Sequence, residues 1–243
     1  MTVQSIEAAA AVAWPPTESL TLGSWKLSAG DGFSRRRNSA VPAGPPPENL
    51  ERRLSDVEEW YRVRGLPTLY RITPLCDAAV DNVLADRGLV LEAPTLVMSR
   101  SLEPPELIEG VTESPVVTDA WVQTEIAALG IDPSSIRPWL ATIAAVPSPA
   151  SFVVPIDDGE PVAAGFGVVV GALLGVFEIV VRPEHRRRGH AGRMMAALHR
   201  FGVREGAQRV FLQVLEDDEP AVALYRSLGY EVSHRYWYRR ADA

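Results

Sequence analysis

The sequence predicts an α/β protein (in the broad, α+β sense) built from two alike halves, each a sheet flanked by helices. Three observations carry that expectation. The β-branched run Val176-Phe177-Glu178-Ile179-Val180-Val181 reads as a buried strand that passes through Pro183 and a basic, glycine-containing turn into the helix-like Met194–Leu198. The order strand, strand, helix, strand, helix, strand is read over residues 20 to 98 and again over 160 to 240. The two readings superpose at one fixed offset of 141 without a gap: Pro42 falls on Pro183, Gly65 on Gly206, Gly88 on Gly229, and Trp25 and Tyr70 on Phe166 and Phe211.

The elements follow in order. Residues 5 to 13 form an Ala-rich helix stopped by Pro15-Pro16, since proline removes a donor and restricts the residue before it. Leu20 to Ser28 and Gly32-Phe33 to Pro42 are expected as strands around the glycine-bearing turn 29–32. Glu48 to Arg64 places Leu50, Leu54, Val57 and Tyr61 on one helical face and closes on Gly65. Pro67 to Ile72 is a strand, Cys76 to Asp86 a helix closed by Gly88, and Leu89 to Met98 a strand.

Ser101 to Pro115, with Pro104-Pro105 and four acids, reads as a linker, so residues 1–103 and 104–243 are expected as the two domains. Thr118–Leu129 and Pro133–Ala145 are helices. Three antiparallel strands span Phe152 to Val181, with a turn near Gly171-Ala172. A helix to Arg204, a strand Arg209–Leu215, a helix to Leu228 and a last strand through Arg239 complete the chain. That final strand lacks a closing partner, which suggests that the other half completes the sheet edge.

Composition limits the function. With 243 residues and 47% hydrophobic content the chain is long enough for a packed core. A net charge of −7 argues against general nucleic-acid binding, and the local cluster Arg182, His185, Arg186, Arg187 and Arg188 suits phosphates of a small molecule better. The single cysteine, Cys76, excludes an intrachain disulfide and reads as a small core residue. The four scattered histidines offer no metal-ligand spacing, so no metal is expected. The Ala8–Ala13 run carries Glu7 next to it and no preceding Lys or Arg, unlike a signal peptide. Pro161 to Phe177 is uncharged but holds four glycines among valines, which suits two strands rather than a membrane span. A cytoplasmic protein without membrane or nucleic-acid partners, monomeric or a homodimer, is the expectation.

A strand feeding a helix through residues 186–192 can make an anion site. The first N–H groups of a helix have no partner within it, and the macrodipole adds positive character. Gly189, Ala191 and Gly192 let a diphosphate approach the backbone, and the arginines add charge-assisted bonds. The spacing Arg186-x-x-Gly189-x-Ala191 resembles the coenzyme A signature of the GNAT acyltransferase superfamily, and Asp218–Tyr230, with Ala221, Leu224-Tyr225 and Gly229, resembles its second hallmark. Asp218 stands where asparagine is usual and Tyr230 where phenylalanine is usual.

The resemblance implies halves with mixed, mostly antiparallel sheets and an acetyl-CoA-dependent N-acetyltransferase acting directly on the amine of a small molecule, amino acid or peptide. The alternative is a non-catalytic acyl-CoA sensor or scaffold. Coenzyme A would be held by Arg186, Arg187, Arg188, Gly189, His190, Ala191, Gly192 and Asp218, with its pantetheine paired along Ile179, Val180 and Val181 like an added strand. The N–H near Val181 is a candidate oxyanion donor. The resemblance casts Tyr225 as the acid that protonates the leaving thiolate, against a plain reading as a core aromatic. Glu178 is the candidate base, against a reading as an arginine's partner. The helices between 118 and 145 would border the acceptor. The first half has lost the signature: Pro45, Glu48 and Leu50 fall opposite Arg186, Gly189 and Ala191, and Leu84 opposite Tyr225. It is expected to shape a substrate cleft rather than to hold a second centre.

Overall fold

The computed structural model describes residues 2–30, 34–103 and 109–241, with the side chains of 133 and 134 left aside. It opens with α1 (Val3–Ala13), capped reciprocally by Thr2 and Ser5, whose buried Ile6, Ala9, Ala10 and Ala13 pack into the core built around Trp121, Trp139 and Phe166. The region expected as one strand from Leu20 is a hairpin, β1 (Glu18–Leu22) and β2 (Trp25–Ala29), because Gly23 adopts φ 63° and reverses the chain. The predicted strand over 32–42 shortens to a 3-10 turn, Arg35–Arg37, and β3 (Ala40–Val41); residues 31–33 of that reading lie outside the described set.

Next come α2 (Leu50–Arg62), β4 (Leu69–Ile72), α3 (Ala78–Asp86) and β5 (Val90–Ser101). The stretch expected to be a linker is partly strand. β5 runs to Ser101 and β6 (Val111–Ser114) pairs with the following strand, so backbone bonding outweighs the proline-rich composition at both ends; 104–108 are outside the description. The second half continues with α4 (Asp119–Leu129), α5 (Pro133–Ala144), β7 (Ala150–Asp157), β8 (Glu160–Pro161), β9 (Ala163–Val170) and β10 (Leu173–Val181). It ends with α6 (His190–Arg204), β11 (Arg209–Leu215), α7 (Glu219–Ser227) and β12 (Glu231–Arg240).

Among the described residues twelve strands form one sheet, in the order β1-β2-β3-β4-β12-β5-β11-β10-β9-β7-β6, with β8 beside β7. β3 with β4 and β10 with β11 pair in parallel; the other ladders between described residues are antiparallel. The middle of the sheet joins the halves by exchange. β5, the last strand of the first half, pairs from Thr95 to Ser101 with the whole of β11 (Leu212 opposite Met98), and β12, the last strand of the second, pairs with β4 (Trp237 opposite Ile72). The edge left short in the second half is therefore completed by the first, as the sequence suggested. No helix among the described residues is long and apolar enough to cross a membrane.

A charged cluster fastens α1 to this exchange. Glu7 accepts from His234 Nε2 of β12 (2.9 Å) and from Arg71 of β4, whose guanidinium lies 4.4 Å from the Tyr236 ring centre. Burial alone would raise the Glu7 carboxyl, but Arg71 and His234 outweigh it and hold it below the ordinary carboxylate range. Because its folded-state pKa is depressed, this carboxylate contributes stability that is present at neutral pH and lost as pH falls through the folded value. Glu7→Gln is expected to cost about 3–5 kcal/mol by stranding buried Arg71. In chemical denaturation the gap from wild type should narrow below the usual carboxylate range; a gap independent of pH would contradict the ion-pair account.

Candidate active site

The parallel pairing of β10 and β11 runs only from Leu173 opposite Arg209 to Val176 opposite Leu212. Past that point β10 bulges: its ladder with β9 skips between Phe177 and Val180, and Glu178 takes φ 49°. Gly165 on β9 makes the bulge possible. A Cβ there would stand 2.5 Å from Ile179 Cδ1 and 3.2 Å from the Glu178 carbonyl oxygen, so a larger residue would push the bulge away. Trp121 of α4 clamps the same place by donating its indole N–H to the Gly165 carbonyl at 2.9 Å.

The two strands diverge around a slot of about 210 Å³ lined by Val176–Val180, Leu212–Leu215, Asp218 and Tyr225. Val180 and Val181 remain paired with β9, which leaves the opposite edge of β10 there without a strand partner, although the Val181 carbonyl accepts from Arg186 Nε at 3.3 Å. Beyond β10 the chain makes a 3-10 turn, Pro183–His185, then reaches α6 through Arg187 (φ 64°) and Gly189 (φ 83°), which serves as N-cap. The first helical bond runs from Arg193 N–H to the Gly189 carbonyl, 3.1 Å, which leaves the N–H groups of 190–192 ahead of it. A Cβ built at Gly189 or Gly192 meets nothing within 4 Å, so the backbone there is open to a ligand. Arg186, Arg187 and Arg188 are exposed around it. These features fit a pantetheine diphosphate: an unpaired strand edge leading toward a bare, cationic helix N-terminus.

His190 differs from its neighbours, since its ring is buried rather than turned outward. Nδ1 faces the Arg193 guanidinium at 3.4 Å and Nε2 lies 3.6 Å from Asp157 Oδ2, while His185 Nδ1 approaches the same oxygen at 3.9 Å. The fold thus gathers Asp157, His185 and His190, which the linear spacing did not suggest. Arg193 can only donate, so this contact favours a lone pair on Nδ1 and the proton on Nε2, which points toward Asp157 without reaching hydrogen-bond distance. His190 offers outward only its backbone N–H. Arg193 also donates to the Glu109 and Gly110 carbonyls (2.9 and 2.8 Å), tying the α6 N-terminus to the start of β6.

Asp218 is the N-cap of α7 and accepts from Ala221 N–H at 3.1 Å. One face of α7 buries Val222 and Tyr225, and Tyr225 lies with its ring 5.9 Å from that of Tyr230. Burial, with Asp218 nearby, pushes its phenol up to about 12, so the group stays protonated at neutral pH. Cys76, half-buried in the first half, is likewise pushed up to about 12, chiefly by burial, and is a poor nucleophile.

Beside the slot lies a larger chamber, about 560 Å³, which the sequence did not locate. Glu178, Gln213, Arg36 and Leu215 line both spaces. Arg36 comes from the 3-10 turn of the first half; it donates to Gln213 Oε1 at 2.7 Å and lies 5.5 and 5.7 Å from the Trp14 and Phe177 ring centres. Its charge lowers Glu178 against burial, the larger effect, and the Glu178 carboxyl stays raised. Among the described residues the chamber is lined by the first half, by β12 and by Glu178, Gln213 and Leu215 of β10 and β11, not by α4 and α5, where the resemblance put part of the acceptor border. The exchange of β12 explains this, because it carries Tyr236 and Tyr238 across to β4. The run Arg35-Arg36-Arg37, out of place in a half-buried strand, was the available signal.

The description "Probable histone acetyltransferase Rv0428c C-terminal" belongs to a family model that matches residues 2–239. The chain belongs to that family, and so to the GNAT N-acetyltransferases. YobR of Bacillus subtilis, described as an uncharacterized N-acetyltransferase, is 26% identical over 98% of both chains. Rv0428c of Mycobacterium tuberculosis, described as a probable histone acetyltransferase, is 27% identical over 99% of this chain and 74% of its own. A GCN5-related N-acetyltransferase from Kribbella flavida has the same fold, with TM-score 0.76 over 100% of this chain and 97% of its own at 18% identity. A tandem GNAT protein from the clavulanic acid pathway follows at TM-score 0.65 and 15% identity, covering 97% and 87%. The chain is an acyltransferase of the GNAT type.

Behind Glu178 sits Glu125 of α4, fully buried, and neither carboxyl oxygen has a hydrogen-bond partner among the described residues. Burial first, and Glu178 second, push it well above the ordinary range, so it is held as the neutral acid. A raised folded-state pKa means that stability present below the unfolded value is lost as pH rises toward the folded one. Glu125→Gln is therefore expected to gain on wild type in melting temperature as pH is raised from 5 to 9. Parallel melting curves across that range would refute a buried, protonated Glu125.

Proposed function

We propose that the chain transfers an acetyl group from acetyl-CoA directly to an amine, with the donor along the slot and the acceptor in the chamber. The observation that carries the reading is the meeting of the two spaces at Glu178 and Gln213, with Tyr225 in the slot wall. Arg186–Gly192 bind the diphosphate through backbone N–H groups and guanidiniums, and Ile179–Val181 align the pantetheine as an added strand. Asp218 fixes the start of α7 and so the reach of Tyr225.

Bound acetyl-CoA supplies the thioester whose carbonyl an amine attacks. Glu178, with a raised carboxyl that is still countered by Arg36, accepts the amine's proton. The N–H near Val181 polarises the developing oxyanion. Tyr225 delivers its phenol proton to the departing sulfur. No covalent intermediate on the protein is needed, in keeping with the raised Cys76 thiol.

The first half is read as a degenerate copy that builds the chamber. Its α3 (Ala78–Asp86) and the α7 of the second half (Glu219–Ser227) coincide at the offset of 141. Glu48 and Leu84 stand where that offset places Gly189 and Tyr225, and a carboxylate at 48 repels a diphosphate.

Tyr225→Phe should lower kcat by about 10²-fold with coenzyme A affinity nearly unchanged; turnover equal to wild type would make Tyr225 structural. Gly189→Glu, which forces a side chain and a negative charge onto the α6 N-terminus, should weaken coenzyme A in calorimetry by more than the ~1.4 kcal/mol of a tenfold change. Unchanged affinity in a folded variant would remove residues 186–192 from the binding site.

A further inference from the structure

The charges that meet in the chamber define the acceptor more narrowly than "an amine". Arg35 and Arg240 share one carboxylate, Glu92, at 3.0 and 3.3 Å. The other two charged residues of the lining are Arg36 and Glu178, which meet no closer than through space at the border with the donor slot, Arg36 acting on Glu178 by its charge. Among the described residues Arg36 makes one hydrogen bond, to Gln213, and its guanidinium is held in place by the Trp14 and Phe177 rings.

An acceptor enters as an ammonium ion and pairs with Glu178. Arg36 then loses its counter-charge and faces a second cation in a partly desolvated space, an arrangement that costs free energy unless the acceptor supplies an anion. A carboxylate on the carbon that bears the amine does so, because Arg36 presents the planar fork that matches it while Glu178 holds the ammonium. Trp14, Leu69, Tyr236 and Tyr238 give the chamber an apolar stretch of wall, beside the polar Ser34, Asn38 and Thr95, that suits an apolar or aromatic body, and the volume lies in the ~300–1,000 Å³ range of small-molecule sites. A polybasic peptide would instead bring further positive charge against three guanidiniums.

From this we infer that the acceptor is a free α-amino carboxylate with an apolar or aromatic side chain, anchored by Arg36 and deprotonated at Glu178. The inference rests on the acetyltransferase reading above. In the reaction the ammonium gives one proton to Glu178, its nitrogen bonds to the acetyl carbon, and the C–S bond breaks. The nitrogen's second proton balances the one that Tyr225 hands to sulfur. The products are an N-acetyl amino acid, free thiol and one proton released from Glu178 to solvent.

The test compares L-phenylalanine, phenethylamine (the same body without the carboxylate) and a lysine-rich peptide, by thiol release from acetyl-CoA and by calorimetry in the presence of coenzyme A. L-Phenylalanine should exceed both in kcat/KM by tenfold or more. Arg36→Gln should raise its KM tenfold or more and should erase its advantage over phenethylamine. Arg36→Lys, which keeps charge without the fork, should fall between. Turnover of phenethylamine or the peptide at least as fast as L-phenylalanine would overturn the inference and leave the acetyltransferase reading standing. Arg36-dependent binding of L-phenylalanine without acetyl transfer would uphold the anchor and count against that reading. Absence of L-phenylalanine binding in calorimetry would also overturn the inference.

Discussion

The pairing of β5 with β12 at the centre of the sheet is the constraint on which the rest depends. A sheet edge exposes a row of unpaired N–H and C=O groups, and each half of this chain would end in such an edge beside β4 or β11. Each closing strand instead crosses to the other half, so β4, β12, β5 and β11 lie side by side as one ladder. Neither half can then close its own sheet without the other, and the salt-bridged Glu7, Arg71 and His234 pin α1 across the same seam.

The exchange also places the chemistry. β12 brings Tyr236 and Tyr238 against β4, and the Arg35–Arg37 turn reaches the border of the slot, so the chamber wall is built jointly by both halves. On the donor side the divergence of β10 from β11 follows from a small cause, the bulge that Gly165 admits. That bulge turns Glu178 away from strand geometry at the point where slot and chamber meet. Buried carboxyls nearby divide their roles by environment: Arg36 offsets the desolvation of Glu178, whereas Glu125, without a cation among its main influences, keeps its proton.

Much of this was legible in one dimension, and the misses have local causes. Helices α2, α3, α6 and α7 were readable because apolar spacing and closing glycines are short-range signals. The early strands were misjudged where Gly23 reversed the chain and where a 3-10 turn replaced extended backbone, both decided by a few dihedrals. β6 was hidden in a stretch whose prolines and acids suggest a linker, since an edge strand needs only one partner and little apolar content.

By itself the sequence pointed to two alike halves, to a basic, glycine-containing turn before a helix and to a tyrosine motif, because the turn and the motif depend on residues close together in the chain whose chemistry acts over one turn or one helix end, and the halves show as one fixed offset. Only the tertiary structure decided that the two halves exchange their closing strands and that Arg36 meets Glu178 and Gln213. It also decided that Glu125 is buried beside a second carboxyl and that the His190 ring faces Asp157. Those contacts join residues far apart in the chain, and strand pairing across the whole sheet, which no local pattern encodes, brings them together.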